Sequence, residues 1–139
     1  MKTNFLVIIL IIFGFGTAIP LITSCKKYPN GPDFSLRTRT ERLSNTWKVD
    51  NYKVNGTDYT SLVPNYTETF TKTGLYNYSW SVFSGLGNWT FQNKDKEVKL
   101  NGNDSHASRT LIILKLEEKS LWYYYMDGND RHEFHLNEK

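Results

Sequence analysis

What is scarce in this sequence bounds its chemistry. Cys25 is the sole cysteine among 139 residues. An internal disulfide is therefore excluded, and a structural zinc site wants several ligands. A catalytic thiol needs a base and a shaped pocket around it, whereas Cys25 lies between an apolar run and a proline-containing stretch. Excess charge of one sign is missing too, with 17 Lys and Arg against 14 Asp and Glu. The basic residues are scattered and do not alternate with aromatics in one stripe, so no nucleic-acid partner is indicated. Catalytic and metal-binding sets are equally hard to find. Asp104-Ser105-His106 holds the residue types of a hydrolase triad, but adjacent positions cannot supply its geometry. Asp127-Gly128-Asn129-Asp130 lacks the far bidentate acid of a calcium loop. His132 and His135 would face opposite sides of a strand, which argues against a shared metal site, and surface histidines are expected. The expectation is a non-enzymatic chain with no cofactor and no metal.

Only one long apolar run is present. Phe5 to Phe13 reads FLVIILIIF, and Gly14, Gly16 and Pro20 interrupt its continuation. A membrane-crossing helix needs about 20 apolar residues, so this core is short, and an uncleaved anchor is the weaker alternative. Lys2, the apolar core and the small residues after it describe a secretory signal peptide over residues 1–24. Ile22-Thr23-Ser24-Cys25 resembles the lipobox of bacterial lipoproteins. That resemblance implies a diacylglyceryl thioether on the Cys25 sulfur, cleavage before it, and acylation of the freed amine. Two or more chains, at about 0.8 kcal/mol per buried CH₂, hold a protein stably on a bilayer.

Residues 25–42 read as a lipidated, flexible tether. Between Lys26 and Arg39 lie two prolines, one glycine and four basic residues, without apolar periodicity. Thr38 to Leu43 suits one short helical turn. Residues 43–139 suffice for a single small domain with one core. There the apolar period is two and turn signals recur at short intervals. The predicted strands are 46–54 (bulged near Asp50-Asn51), 66–71, 75–82, 88–92, 97–100, 108–116, 121–126 and 131–136. Within 108–116 the residues Thr110, Ile112, Leu114 and Leu116 would share a face, and Gly85-Leu86-Gly87 would connect two strands. With no helix long enough for a crossover, pairing should be antiparallel. Closing the sheet removes exposed edges, so an eight-stranded up-and-down barrel is favoured over a sandwich.

At Trp47 the pattern acquires a family likeness. Trp47-Lys48-Val49, the loop Asn55-Gly56-Thr57-Asp58, the hairpin Thr71-Lys72-Thr73-Gly74 and Gly87-x-Trp89-x-Phe91 occur in that order. Together they resemble the lipocalin-like domains of Bacteroidota lipoproteins. The resemblance implies a small barrel that binds a ligand without enzymatic activity. Surface-export signals of those lipoproteins are acidic residues just after the cysteine. Lys26-Lys27-Tyr28-Pro29 stands there instead, which implies a lipid-anchored protein on the periplasmic face of the outer membrane.

The aromatic excess admits two readings. Tyr76, Tyr78, Trp80, Trp89, Phe91, Tyr123 and Tyr125 would point inward, either filling the barrel or lining a cavity for a small apolar or amphipathic ligand. Trp122, Tyr124 and Met126 would point outward, where they form a surface for another envelope protein. A carrier and a docking module, its interior then closed, are both consistent with this pattern. Mass spectrometry of the membrane fraction should find Cys25 acylated at the mature N-terminus, and Cys25→Ala should block processing. A normally processed, lipid-free Cys25→Ala chain would contradict acylation.

Overall fold

The computed structural model describes residues 27–32 and 34–139, so the signal segment and Cys25 lie outside the described residues. A five-residue helix α1 (Arg39–Leu43) opens the ordered domain. It is short enough to depend on its cap. The Thr38 hydroxyl accepts the Glu41 N–H at 3.2 Å, and the Glu41 carboxylate accepts the Thr38 N–H at 2.9 Å, a reciprocal capping box.

Nine strands come after it: β1 (Thr46–Val54), β2 (Thr57–Asp58), β3 (Thr67–Phe70), β4 (Leu75–Trp80), β5 (Phe83–Gln92), β6 (Glu97–Gly102), β7 (Thr110–Leu116), β8 (Ser120–Asp127) and β9 (Asp130–Glu138). From β3 onward each strand pairs antiparallel with the next, and β1 pairs with both β3 and β9. The eight longer strands thereby close into an up-and-down barrel, as the period-two pattern predicts. The two-residue β2 only folds back on the end of β1, across the turn Asn55-Gly56, where both residues have positive φ.

Closure needs local bends, and β-bulges supply them. The register of β1 against β9 shifts between Val49 and Asn51, where the phase change in the sequence placed a bulge. A second shift, between Ile113 and Lys115 in β7, had no such signal. It changes which residues of β7 face inward. Leu111, Ile113 and Leu116 are buried, not the expected set Thr110, Ile112, Leu114 and Leu116. The expected connection at Gly85-Leu86-Gly87 is also corrected. These residues belong to β5, and the hairpin turns at Ser81-Val82. The glycines answer to packing, because a Cβ on Gly85 would collide with the Asp104 carboxylate and the Tyr78 ring.

The barrel has two unlike ends. One carries α1, the turns between β3 and β4, β5 and β6, and β7 and β8, and the N-terminal segment. There the flexible tether is corrected as well. Tyr28 is 2% exposed. Its hydroxyl donates to the Asp95 carbonyl at 2.8 Å, and the Asn30 N–H donates to the Leu114 carbonyl at 2.9 Å. Lys27 and Arg39 both pair with the Asp95 carboxylate. A buried aromatic outweighs the prolines around it, while Pro29, Asn30 and the stretch around Phe34 and Leu36 stay exposed.

Trp47 plugs this closed end. It is 0% exposed, and its indole N–H donates to the Leu43 carbonyl at 3.0 Å, joining β1 to α1. Trp47→Ala should cost about 3–5 kcal/mol, as large aromatic truncations in cores do. Urea unfolding with an unchanged midpoint would show that this residue does not close the barrel.

Candidate functional site

On β3 and the residue before it, Tyr66, Glu68 and Phe70 share the inward face by simple alternation. Glu68 is 2% exposed, inside a barrel otherwise built of rings and aliphatic chains. Its Oε1 accepts three hydroxyls: Tyr66 at 2.6 Å, Tyr76 on β4 at 2.8 Å and Tyr123 on β8 at 3.0 Å. Burial raises the Glu68 pKa, and the three hydroxyl donors pull it partway back. Burial and then the adjacent carboxylate push the Tyr66, Tyr76 and Tyr123 hydroxyls well above the usual tyrosine value. The three phenols therefore stay protonated and serve as donors.

Above this cluster the β6–β7 loop closes the barrel mouth. Asp104 shapes the loop by accepting the Ala107 N–H at 2.7 Å and the Tyr78 hydroxyl at 3.1 Å. His106 is set down over Tyr78, ring centroids 4.2 Å apart, with its Nε2 at 2.6 Å from the Tyr66 oxygen. Burial lowers its pKa to about 4, assisted by Arg109 and opposed by Asp104, so the ring is neutral at neutral pH. The Tyr66 hydroxyl donates to Glu68, so the Nε2–H of the neutral His106 ring donates to the Tyr66 oxygen. A hydrogen-bonded chain thus runs from the loop to the buried acid.

Arg109 leaves the same loop beside this chain. Its guanidinium lies 4.0 Å over the Tyr125 ring, and Nη2 donates to the Ser105 carbonyl at 3.3 Å. Nε and Nη1 are buried without a hydrogen-bond partner, as is Glu68 Oε2. Arg109 forms no ion pair among the described residues. A recess of about 270 Å³ opens against it, lined by Ser105, Ser108, Arg109, Tyr125, Met126 and Asp127. The positive charge at its wall can attract an anion, while Nε and Nη1 themselves are enclosed by protein. No group of metal-ligating side chains occurs among the described residues.

The predicted ligand-binding residues do not gather around one cavity. Tyr76 and Tyr123 point inward but are spent on Glu68, and Tyr78 is held by Asp104. The Trp89 indole donates to the Thr71 carbonyl at 3.0 Å, with its ring against Phe70 and Phe91. Trp80 lies half-buried at the open rim beside Phe83. Of the seven, only Tyr125 reaches the recess, and its other neighbour is the His132 ring, stacked at 4.9 Å. His132 is therefore an interior-face residue that meets the Tyr52 hydroxyl at 2.7 Å, not a surface histidine. The predicted partner surface is on the outer face, yet much of it is already covered. Trp122 stacks on His135 at 4.0 Å beneath the Lys115 ammonium, and Arg131 caps Tyr124 at 4.2 Å. Met126 alone of the three is open, 52% exposed and on the recess.

Sequence reasoning missed Glu68, His106 and Arg109. Glu68 did carry a signal: in Tyr66-Thr67-Glu68-Thr69-Phe70 an acid occupies the aromatic phase. His106 and Arg109 sit in or beside a loop, where no periodicity operates.

No protein-family model matches the chain, and no curated protein matches it. Among solved structures the chain is similar to a lipocalin-like protein from Bacteroides uniformis ATCC 8492. That likeness has 15% identity and a TM-score of 0.54 and covers 70% of this chain and 99% of that one. A DUF4847-family protein from Bacteroides vulgatus ATCC 8482 is similar at 15% identity and a TM-score of 0.47, over 70% of this chain and 95% of that one. The fold is thus a lipocalin-like barrel.

Glu68→Ala should destabilise the domain by about 3 kcal/mol or more, because three buried hydroxyls lose one acceptor and each unsatisfied group costs about 1–3 kcal/mol. Glu68→Gln keeps the acceptor and should cost less. The raised pKa fixes a sign: the folded state holds the proton more tightly, so this group's contribution falls as pH rises from the ordinary glutamate range through the folded value. Urea midpoints measured across that range should show the Glu68 contribution in wild type and not in Glu68→Gln.

Proposed function

From a lipocalin-like barrel filled by its own side chains, we propose a lipid-anchored, non-enzymatic binding module of the cell envelope. It takes a small amphipathic molecule at the open end and not in the interior. The observation that carries this reading is Arg109: a half-buried cation with no ion-pair partner among the described residues, at the wall of a recess of about 270 Å³. Charges drawn partly out of water are ordinarily paired, so an unpaired cation at the wall of a recess supports a partner beyond the chain.

Anchoring fits the same geometry. Cys25 precedes the docked Tyr28 by three residues, which span about 10 Å at full extension. A lipid on Cys25 would hold the closed end near the headgroups and direct the recess away from them. Cargo would then arrive from the aqueous side. The periplasmic face of the outer membrane remains the expected location, on the strength of the lipobox-like sequence and the basic residues after it.

A second reading has its own support. Val82 is 88% exposed and Phe83 60%, at the tip of the β4–β5 hairpin on the open rim. Such a tip suits docking on another envelope protein. The two readings separate in one experiment. Native mass spectrometry of the full chain, extracted in mild detergent from its own envelope, should reveal a small-molecule adduct. Ser105→Trp, which fills the recess without removing a side-chain hydrogen bond, should abolish it. An adduct unchanged by Ser105→Trp would remove the recess from consideration. A co-extracted protein lost in Phe83→Asp, with no adduct in wild type, would establish the docking reading instead.

A further inference from the structure

We infer that Phe34 and Leu36 dip into the bilayer that carries the anchor, so that the closed end of the barrel rests on the lipid surface as well as being tied to it. The inference rests on the lipid-anchored reading above and adds an apolar contact between the folded domain and the membrane. Three observations carry it.

The first is exposure. Phe34 is 79% exposed and Leu36 92%. They share a shallow recess with Arg42 of α1 and with Glu117 and Glu118 of the β7–β8 turn, which places both at the closed end. The second is restraint. On one side Tyr28 is buried and the Asn30 N–H donates to the Leu114 carbonyl at 2.9 Å. On the other, Arg37 pairs with Glu118 at 2.8 Å and its N–H donates to the Ser35 hydroxyl at 3.2 Å, just before the Thr38 cap. Phe34 and Leu36 are thus presented from a stretch tied down on both sides, which lowers the cost of ordering them on a surface. The third is position. Tyr28 follows Cys25 by three residues, a span of about 10 Å at most. Acyl chains on Cys25 therefore hold this end within that distance of the headgroups. Interfacial apolar side chains reach about 5–10 Å into the same boundary.

A protein partner fits this pair less well than a bilayer does. A standard interface takes about 800 Å² from each side, whereas one buried aromatic ring supplies about 150–250 Å². A bilayer needs no complementary shape. Lipid charge is not the attraction either. Lys27 and Arg39 face Asp95, and Arg37 faces Glu118, so the cations beside the pair are already countered. The contact is apolar, and neither salt nor anionic lipid governs it.

The test uses the full chain, acylated in its own envelope and moved into phosphatidylcholine discs that carry a spin label high on the acyl chain. The amide resonances of Phe34, Ser35 and Leu36 should broaden, and those of Val82 and Phe83 on the opposite rim should stay sharp. Phe34→Ser combined with Leu36→Ser removes only exposed side chains, so its urea midpoint should match wild type. Its ratio of docked to lifted domain, read from the broadening at Arg37 and Lys119, should fall about tenfold, the scale of burying one large apolar side chain. Sharp resonances at Phe34 to Leu36 in a chain acylated on Cys25 would overturn this inference and leave the anchor standing. A chain recovered outside the membrane fraction with Cys25 bare would overturn the anchored reading and this inference together. Broadening at Val82 and Phe83 instead would overturn the orientation. Broadening that appears only with phosphatidylglycerol in the disc, or that high salt abolishes, would overturn the apolar contact.

Discussion

The structure depends on one buried acid. Glu68 draws hydroxyls from β3's flank, β4 and β8 onto a single oxygen, so walls on different sides of the barrel meet at its centre. Burying a carboxylate costs several kcal/mol. Three hydrogen bonds to a charged group return about 1.5–3 kcal/mol each. The two roughly offset, so the cluster contributes less to net stability than to specification. It determines which rings turn inward and where their hydroxyls end. An aliphatic residue at position 68 would leave three phenols searching for partners and several equivalent ways to pack them.

That constraint separates the chemistry of the two ends. Below Glu68 the interior is apolar and sealed by Trp47, with Leu43 of α1 and the docked Tyr28 closing the same end. Above it the hydrogen-bonded chain through Tyr66 and His106 continues into the β6–β7 loop, and Arg109 comes within three residues. Polar groups occur at both ends: Arg42 is buried at the closed one and donates to the Leu116 carbonyl at 2.9 Å, while His106 and Arg109 stand at the open one. The binding role proposed for this barrel accordingly rests on its mouth. Small barrels divide between filled interiors and ligand cavities, and here the choice is made by tyrosines whose hydroxyls are already committed.

Fold legibility tracked periodicity. Strands with unbroken alternation, such as β4 and β8, appear where the pattern places them, and the Asn55-Gly56 turn and the Thr38 cap act as local chemistry dictates. Errors arose where a contact distant in sequence intervened. Tyr28 sits among prolines and basic residues that read as a leash, yet it docks on a turn 67 residues away. Gly85 and Gly87 read as a connection, yet they are strand residues, Gly85 bare so that Asp104 of the β6–β7 loop and the Tyr78 ring can approach and Gly87 bare against the backbone of β6. Among site residues, alternation correctly turned Tyr76, Tyr123 and Tyr125 inward and Trp122 and Tyr124 outward. It could not say that inward rings would bind an acid, or that outward ones would be capped by Lys115 and Arg131.

By itself, the sequence determined the all-β class, the antiparallel meander, the inward aromatic phase and the apolar N-terminal run ending at Cys25. Each of these is written in residues close together along the chain, because strand periodicity, turn chemistry and hydropathy are local. The tertiary structure alone decided that the inward tyrosines converge on Glu68, that the N-terminal segment is docked, and that Arg109 stands beside a recess without an ion-pair partner among the described residues. Those outcomes depend on which side chains from separate strands arrive at one point in space. Glu68 lies eight residues from Tyr76 but 55 from Tyr123, and only barrel closure brings the three together.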